Sequence, residues 1–502
     1  MIRVYLDWNV FSRLGSRDET HQKLTDILSN ETKFLIPFSE AHLMDVYRSY
    51  KKVGLDGIDG HLNKLQQYSK SLFITDTINS KLEFQHLSAK EAMQQYIDAF
   101  KEHQDFNFDF AELMKPFEFL LKPILDLQIQ NPLGIPQEGD DATAYKEMIN
   151  NSPRTAIDAQ KLLGEGETTS LGQIMENLLH VSSTIFQDDS YKEMRDNYQK
   201  DLNVNTGRLN SKKFEPIKIL DENAQKLKKE NFLELHESLL IGSDTKSLFN
   251  RIIALCRQLD FNGFFADTIT PEHHLDNVET DYKHIAYAST CDIFVIADKK
   301  TREKAIMAFD LLKIKVNVSS PEEFVVFFEN NSATIENERH LIDYLFWVST
   351  NTPTVVDDGF QIHYVKSYVL DYFNLIAVAV GNPEHLILKK LDTSNNVGIL
   401  IREITAVKNK LLVLLGKPML EHGEIGAESY FVSWMTEDLI LFDFRYAEVL
   451  LVLEVQQCRK MKRMERIFKT IKIKLKGMLN LLKKLNEKKM KLSQSQESNR
   501  AE

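Results

Sequence analysis

The stretch Arg3-Val4-Tyr5-Leu6-Asp7-Trp8-Asn9-Val10-Phe11-Ser12 decides the fold. Val4, Tyr5 and Leu6 predict a short buried strand that stops on a carboxylate, and Asn9 follows two residues later at the mouth of the next helix. In open α/β sheets the carboxyl ends of the strands border the ligand crevice, so an acid placed there is set for chemistry rather than for packing. Asp is also the ordinary residue for leaving a strand and capping a helix, so the position needs support from the rest of the chain.

Residues 1–50 read as strand, helix, strand, helix. Ser12 to Asn30 has helical spacing at Leu14, Leu24, Ile27 and Leu28, and Phe34-Leu35-Ile36 makes a second buried strand that Pro37 closes. Ser39 caps a helix whose apolar face runs through Ala41, Leu43, Met44 and Val46, with Glu40 in its first turn favouring the dipole. The pattern then stops and resumes only after residue 280. Asp281 to Thr290 predicts a helix, Ile293-Phe294-Val295-Ile296-Ala297 a buried strand ending on Asp298, Thr301 to Leu312 a helix, and Ile314 to Val318 a final strand. Ser320-Pro321-Glu322-Glu323-Phe324 opens one more helix with Pro in its first turn.

This divides the chain into an α/β domain of parallel strands, 1–50 and 276–330, split by an all-helical insertion of 225 residues, 51–275, in which no strand is convincing. Residues 331–455 predict a small α+β domain with an antiparallel sheet. Its strands are expected at Phe373–Val380, His385–Leu391, Val397–Ile404, Lys410–Leu415, Tyr430–Trp434 and Leu439–Phe444. A long basic amphipathic helix, 456–492, and a polar disordered tail, 493–502, follow.

The chain has 502 residues, enough for about two to four domains, and 43% apolar residues supply their cores. Its longest apolar runs, such as Leu375 to Val380, fall far short of the ~20 residues a membrane span needs, and Arg3 and Asp7 break a signal-peptide reading. A cytoplasmic protein without membrane contact is expected. The three cysteines, Cys256, Cys291 and Cys458, are too scattered for a zinc pair and too few for a disulfide framework, so they read as buried thiols. Residues 458–492 carry 14 Lys and Arg against Glu465 and Glu487, within a chain of net charge −11. Acid and base are therefore segregated, and a polyanion would be repelled by most of the surface and drawn to one end.

Topology gathers the acids. A helix of a βα unit runs back antiparallel to its strand, so its N-terminus shares a sheet edge with the strand's carboxyl end. Asp281 at a helix start and Asp298 at a strand end therefore meet Asp7, and Asp45, about 9 Å into the helix from Ser39, stays near the same edge. Carboxylates held together repel unless a cation cancels their charge, and oxygen ligands of this kind suit Mg²⁺ or Mn²⁺.

These fragments, Tyr5 to Val10, Ser39 to Val46, Asp281 to Ala286 and Cys291 to Lys299, resemble the PIN and PIN-like domain nucleases over about 100 of the 502 residues. By that resemblance Asp7, Asp45, Asp281 and Asp298 match the family's metal-binding acids and Asn9 its supporting polar residue, while Glu40 competes with Asp45 for the second place. Trp8 departs from the family, many of whose members have a small hydroxyl residue there. The activity implied is endonucleolytic cleavage of RNA with one or two Mg²⁺ or Mn²⁺ ions and a bound water as nucleophile. The extra domains suggest regulation or a complex, in a toxin-like or phage-defence setting. DNA cleavage by the same site, or a non-catalytic PIN-like scaffold that binds protein partners, are the alternatives.

His284, one turn after Asp281, is placed to support a carboxylate, though a histidine on an apolar helix is more often structural. Asp292 opens its strand away from Asp298 and reads as structural. The aromatic run Phe100 to Phe119 is interleaved with acids and reads as core or a protein-binding face rather than a base-stacking platform. Met461, Met464, Phe468, Ile471, Leu475, Met478, Leu482 and Leu485 alternate in steps of three and four, a heptad seam for a partner helix or self-association. Lys472, Lys474, Lys483 and Lys484 on that helix are the expected nucleic-acid contacts.

Overall fold

The computed structural model describes residues 1–105, 188–331 and 335–457, less a few short stretches, together with the strands 128–130 and 168–170. It is a mixed α/β protein. The contacts divide it into two compact units, Ile2–Phe328, and Met1 with Glu329–Glu502.

In the larger unit β1 (Ile2–Leu6) leads through α1 (Trp8–Phe11) and α2 (Glu19–Leu28) to β2 (Phe34–Leu35). Next come β3 (Phe38–Ser39), α3 (Glu40–Ser69), β4 (Leu72–Asp76), β5 (Leu82–His86) and α4 (Ala89–Asp105). After β6 (Gln128–Gln130) and β7 (Thr168–Ser170) the helices are α5 (Asp188–Asp201), α6 (Thr206–Leu209), α7 (Pro216–Lys226), α8 (Phe232–Leu239), α9 (Leu248–Phe261) and α10 (Leu275–Ala288). The unit closes with β8 (Ile293–Val295), α11 (Lys299–Leu311), β9 (Asn317–Ser319) and α12 (Pro321–Asn331).

Four of these strands form a sheet in the order β2-β1-β8-β9 with every pairing parallel. Every residue of β1 is buried, as a central parallel strand requires, since helices cover both faces. The chain winds from β1 outward to β2 on one side and from β8 outward to β9 on the other. The direction thus reverses between β1 and β8, and the carboxyl ends of those two strands border the switch point where such sheets bind ligands. Asp7 N–H donates to Val295 O at 2.9 Å, extending the ladder one residue past Leu6. Arg3 and Asp292 pair within the buried sheet, Nη2 to Oδ1 at 2.9 Å, which makes Asp292 structural.

The insertion is not all helical. β4 pairs parallel to β3 and antiparallel to β5, giving a three-stranded sheet, and β6 pairs with β7. Leu72-Phe73-Ile74-Thr75 is aromatic and β-branched, and at five residues β4 is too short to show a period of its own; its pairing with β3 decides it. Nor does a boundary fall at residue 50: α3 runs on to Ser69 through a kink at Gly54, whose φ of +72° is open to glycine at little cost. Helix α10 begins at Leu275, so Asp281 lies two turns in rather than at the start. Leu275, Val278, Tyr282 and Ile285 keep the helical spacing that extends it. Cys256 and Cys291 are free and buried.

The smaller unit holds α13 (Glu338–Thr350), β10 (Val355–Asp357), β11 (Phe360–Val369), β12 (Phe373–Ala379), β13 (Asn382–Lys389), α14 (Val397–Leu415), β14 (Leu420–His422), β15 (Phe431–Met435), β16 (Ile440–Ala447) and β17 (Leu450–Gln457). All eight strands form one antiparallel sheet, ordered β10-β11-β12-β13-β17-β16-β15-β14. The strands expected at Val397–Ile404 and Lys410–Leu415 are instead the single helix α14. Its buried residues Ile399, Leu400, Glu403, Ile404, Val407 and Leu411 recur at helical period, Asn396 caps its start, and Gly416 ends it at a φ of +74°. β17 occupies residues up to Gln457, so no helix begins at 456.

The rest of the basic segment, with Lys472, Lys474, Lys483 and Lys484, lies outside the described residues, as do the tail, Cys458 and most of the aromatic run. No helix among the described residues is long and apolar enough to cross a membrane.

Candidate active site

Four elements deliver the acids to one place. Asp7 follows β1 directly and serves as N-cap of α1, its carbonyl accepting from the Val10 and Phe11 backbone N–H groups at 3.0 and 2.8 Å. Its side chain is buried, and Oδ2 has no hydrogen-bond partner. Burial is the main reason its pKa rises from 3.8 to about 6; His284 acts against the rise, and the Asp45 and Asp298 carboxylates add to it. Asp281 on α10 is pushed well above its ordinary value, first by burial, then by Asp7, Asp267, Asp45 and Asp298. Asp45 and Asp298 thus lie within electrostatic reach of both Asp7 and Asp281.

Asp298 is exposed and caps α11, Oδ1 accepting from Thr301 N–H at 2.7 Å. The Thr301 hydroxyl donates to Asp281 Oδ2 at 3.4 Å, so one threonine links two of the acids. Asp45 on α3 accepts from Arg48 Nη1 at 2.6 Å on one oxygen and meets His284 Nε2 at 2.9 Å on the other. Glu40 lies 3.3 Å from the Tyr287 hydroxyl and 3.6 Å from Lys283 Nζ. Asp45 is the α3 acid whose charge acts on both Asp7 and Asp281. Asn9 is exposed on α1, and among the described residues no hydrogen bond joins it to the acids.

His284 is buried, and its Nδ1 meets the Tyr5 hydroxyl at 2.9 Å, which in turn meets Ser39 Oγ at 2.6 Å. His42 fills the third residue of α3, where a capping box places Glu or Gln: Nδ1 accepts from the Ser39 backbone N–H at 3.1 Å, and Nε2 donates to Leu6 O at 2.8 Å. Burial, then His284, hold the His42 pKa well below its ordinary value, so it stays neutral. The sequence reading assigned no role to Tyr5, His42, Arg48 or Thr301. Only the Ser39–His42 spacing carried a signal.

Behind Asp281 lies a buried charge network. Lys304 on α11, with no exposed side-chain surface, sits 3.0 Å from Asp260 Oδ1 and 2.5 Å from Asp267 Oδ2, and Arg195 Nη1 meets Asp260 Oδ2 at 2.8 Å. Burial works to lower the Lys304 pKa, but Asp260 and Asp267 outweigh it and raise it. The network ties α5 and α9 of the insertion to α11.

Among the described residues no group of three or more His, Cys, Asp or Glu side chains is drawn together tightly enough to hold a metal ion. The donors themselves, carboxylate oxygens, are of the kind a hard divalent cation takes. Asp7 Oδ2 is buried without a partner, and the neighbouring carboxylates raise the proton affinity of Asp7 and Asp281, a repulsion that a cation would relieve. Comparison with protein-family models, with curated proteins and with solved structures finds no match.

Proposed function

We propose that this chain is a PIN-like nuclease that hydrolyses phosphodiester bonds with Mg²⁺ or Mn²⁺, RNA being favoured over DNA. The observation that carries this reading is the unpartnered, buried Asp7 Oδ2 at the carboxyl end of the central strand, beside Asp45, Asp281 and Asp298 at the switch point of a parallel sheet. Those four acids would hold the cation. When bound, it supplies charge neutralisation and an electrophile for the phosphodiester.

The chain's own residues supply the rest. Asp7 releases its proton as the site charges, Thr301 keeps Asp281 and Asp298 in register, and Arg48 and His284 hold Asp45. Lys283, part-exposed beside Glu40, and Lys299, exposed next to Asp298, offer positive charge to a phosphate backbone at the rim of the acids.

The test is cleavage of total RNA and of single-stranded DNA by the purified full chain with Mn²⁺, beside Asp7→Asn. Cleavage lost with the variant and with a chelator supports the reading and ranks the substrates. The loosely gathered acids favour one other reading, a PIN-like scaffold without chemistry. An absence of Mn²⁺ binding by calorimetry would favour that reading over a nuclease.

A further inference from the structure

We propose that Tyr5 and His284 form a buried strut that orients the Asp45 carboxylate toward the cation site, which makes His284 a positioning residue. This inference rests on the metal-dependent reading above.

Three elements build the strut. Tyr5 comes from β1, His284 from α10 and Asp45 from α3, and a continuous hydrogen-bonded chain runs from Ser39 Oγ through the Tyr5 hydroxyl and the His284 ring to Asp45 Oδ2. Steps of 2.6, 2.9 and 2.9 Å leave no link open. Nε2 meets the carboxylate and Nδ1 meets the Tyr5 hydroxyl, so both ring nitrogens are engaged. His284 therefore has no nitrogen to offer a substrate, and it acts through Asp45.

The ring planes are fixed by packing. His42 and His284 cross edge-on with centroids 4.8 Å apart, and the Tyr5 ring lies 5.1 Å from His42 and 5.8 Å from His284. On the other side Arg48 grips Asp45 Oδ1 and is itself held by Thr280 Oγ1 at 2.6 Å and Asp276 O at 2.9 Å. Each carboxylate oxygen of Asp45 thus spends one lone pair on a fixed donor and keeps another for a cation.

Packing alone does not call for this chain. A Phe at position 5 would bury the same ring in the central strand without a hydroxyl that needs a partner, and the buried phenol is costly unless satisfied. Its hydrogen bonds lead to an acid of the site. Partners one shell out from a metal ligand set its orientation, and their loss weakens metal binding by about 10- to 100-fold.

The experiment measures Mn²⁺ affinity by calorimetry on the full chain and its Tyr5→Phe, His284→Ala, His284→Gln and Asp7→Asn variants, with thermal unfolding recorded alongside. Tyr5→Phe, which keeps the ring, is expected to fold and to bind Mn²⁺ about 10-fold more weakly. His284→Ala loses more, and His284→Gln, whose amide still offers Asp45 a donor, recovers part. Turnover should fall in the same order while KM for an oligonucleotide holds. Wild-type Mn²⁺ affinity in Tyr5→Phe and His284→Gln, with binding abolished by Asp7→Asn, would overturn the strut and leave the nuclease reading standing. Absence of Mn²⁺ binding by the wild-type chain would overturn both.

Discussion

Asp7→Asn should stabilise the cation-free protein at neutral pH. A carboxyl whose folded pKa stands at about 6 against 3.8 binds its proton more tightly in the folded state than in the unfolded one. At roughly 1.4 kcal/mol per pKa unit, the ionised Asp7 costs the folded state about 3 kcal/mol. The sign follows from which state ionises first. Well below pH 3.8 both states carry a neutral Asp7, and the isosteric amide changes little. As pH rises the unfolded state loses its proton first, so wild-type stability falls between about 4 and about 6 and is level above about 7. The gap in favour of the variant should open over that window and reach about 3 kcal/mol as an upper bound, several degrees of melting temperature at roughly 2–4 °C per kcal/mol. Thermal unfolding of both proteins from pH 4 to pH 8 in chelator reads this directly. Saturating Mn²⁺ should then invert the order, since about 1,000-fold excess over Kd adds about 4.1 kcal/mol to the wild type and nothing to a variant that does not bind. A variant equally or less stable than wild type at every pH would refute the claim that Asp7 is an ionisable group held against its own charge.

Three further outcomes are expected. Lys304→Met leaves Asp260 and Asp267 buried without their shared ammonium and should cost about 3–5 kcal/mol in denaturant unfolding, whereas a loss below ~1 kcal/mol would show that water reaches the network. Within α3, Gly54→Ala should cost about 1 kcal/mol, because its φ is +72° although nothing lies within 4 Å of the added Cβ. Gly60→Ala, equally open and without a positive φ, should gain up to about 1 kcal/mol, and equal effects at the two sites would refute the kink. In the smaller unit Trp434→Phe removes the indole donor to Gly416 O at 3.0 Å, and because Gly416 is exposed and water can take the donor's place, stability should fall by about 0.5–1.5 kcal/mol in denaturant unfolding.

What the sequence determined by itself is local. A strand buried on both faces must be apolar throughout, so Val4-Tyr5-Leu6 and Ile293-Phe294-Val295 were legible as parallel strands, and the acids at their ends as candidates for the switch point. Period alone was less reliable where the elements were short or their residues β-branched. Val397–Ile404 looked like a strand and forms a helix because its apolar residues find a core at helical spacing, and Leu72–Asp76 became a strand because β3 and β5 flank it. Only the tertiary structure separates the surroundings of Glu40 and Asp45: both face α10, Glu40 meeting Tyr287 and Lys283 and Asp45 meeting His284. The same holds for Tyr5, His284 and Asp45. Their contacts span 279 and 239 residues of chain, and no local spacing records a hydrogen bond that exists only once β1, α3 and α10 pack together.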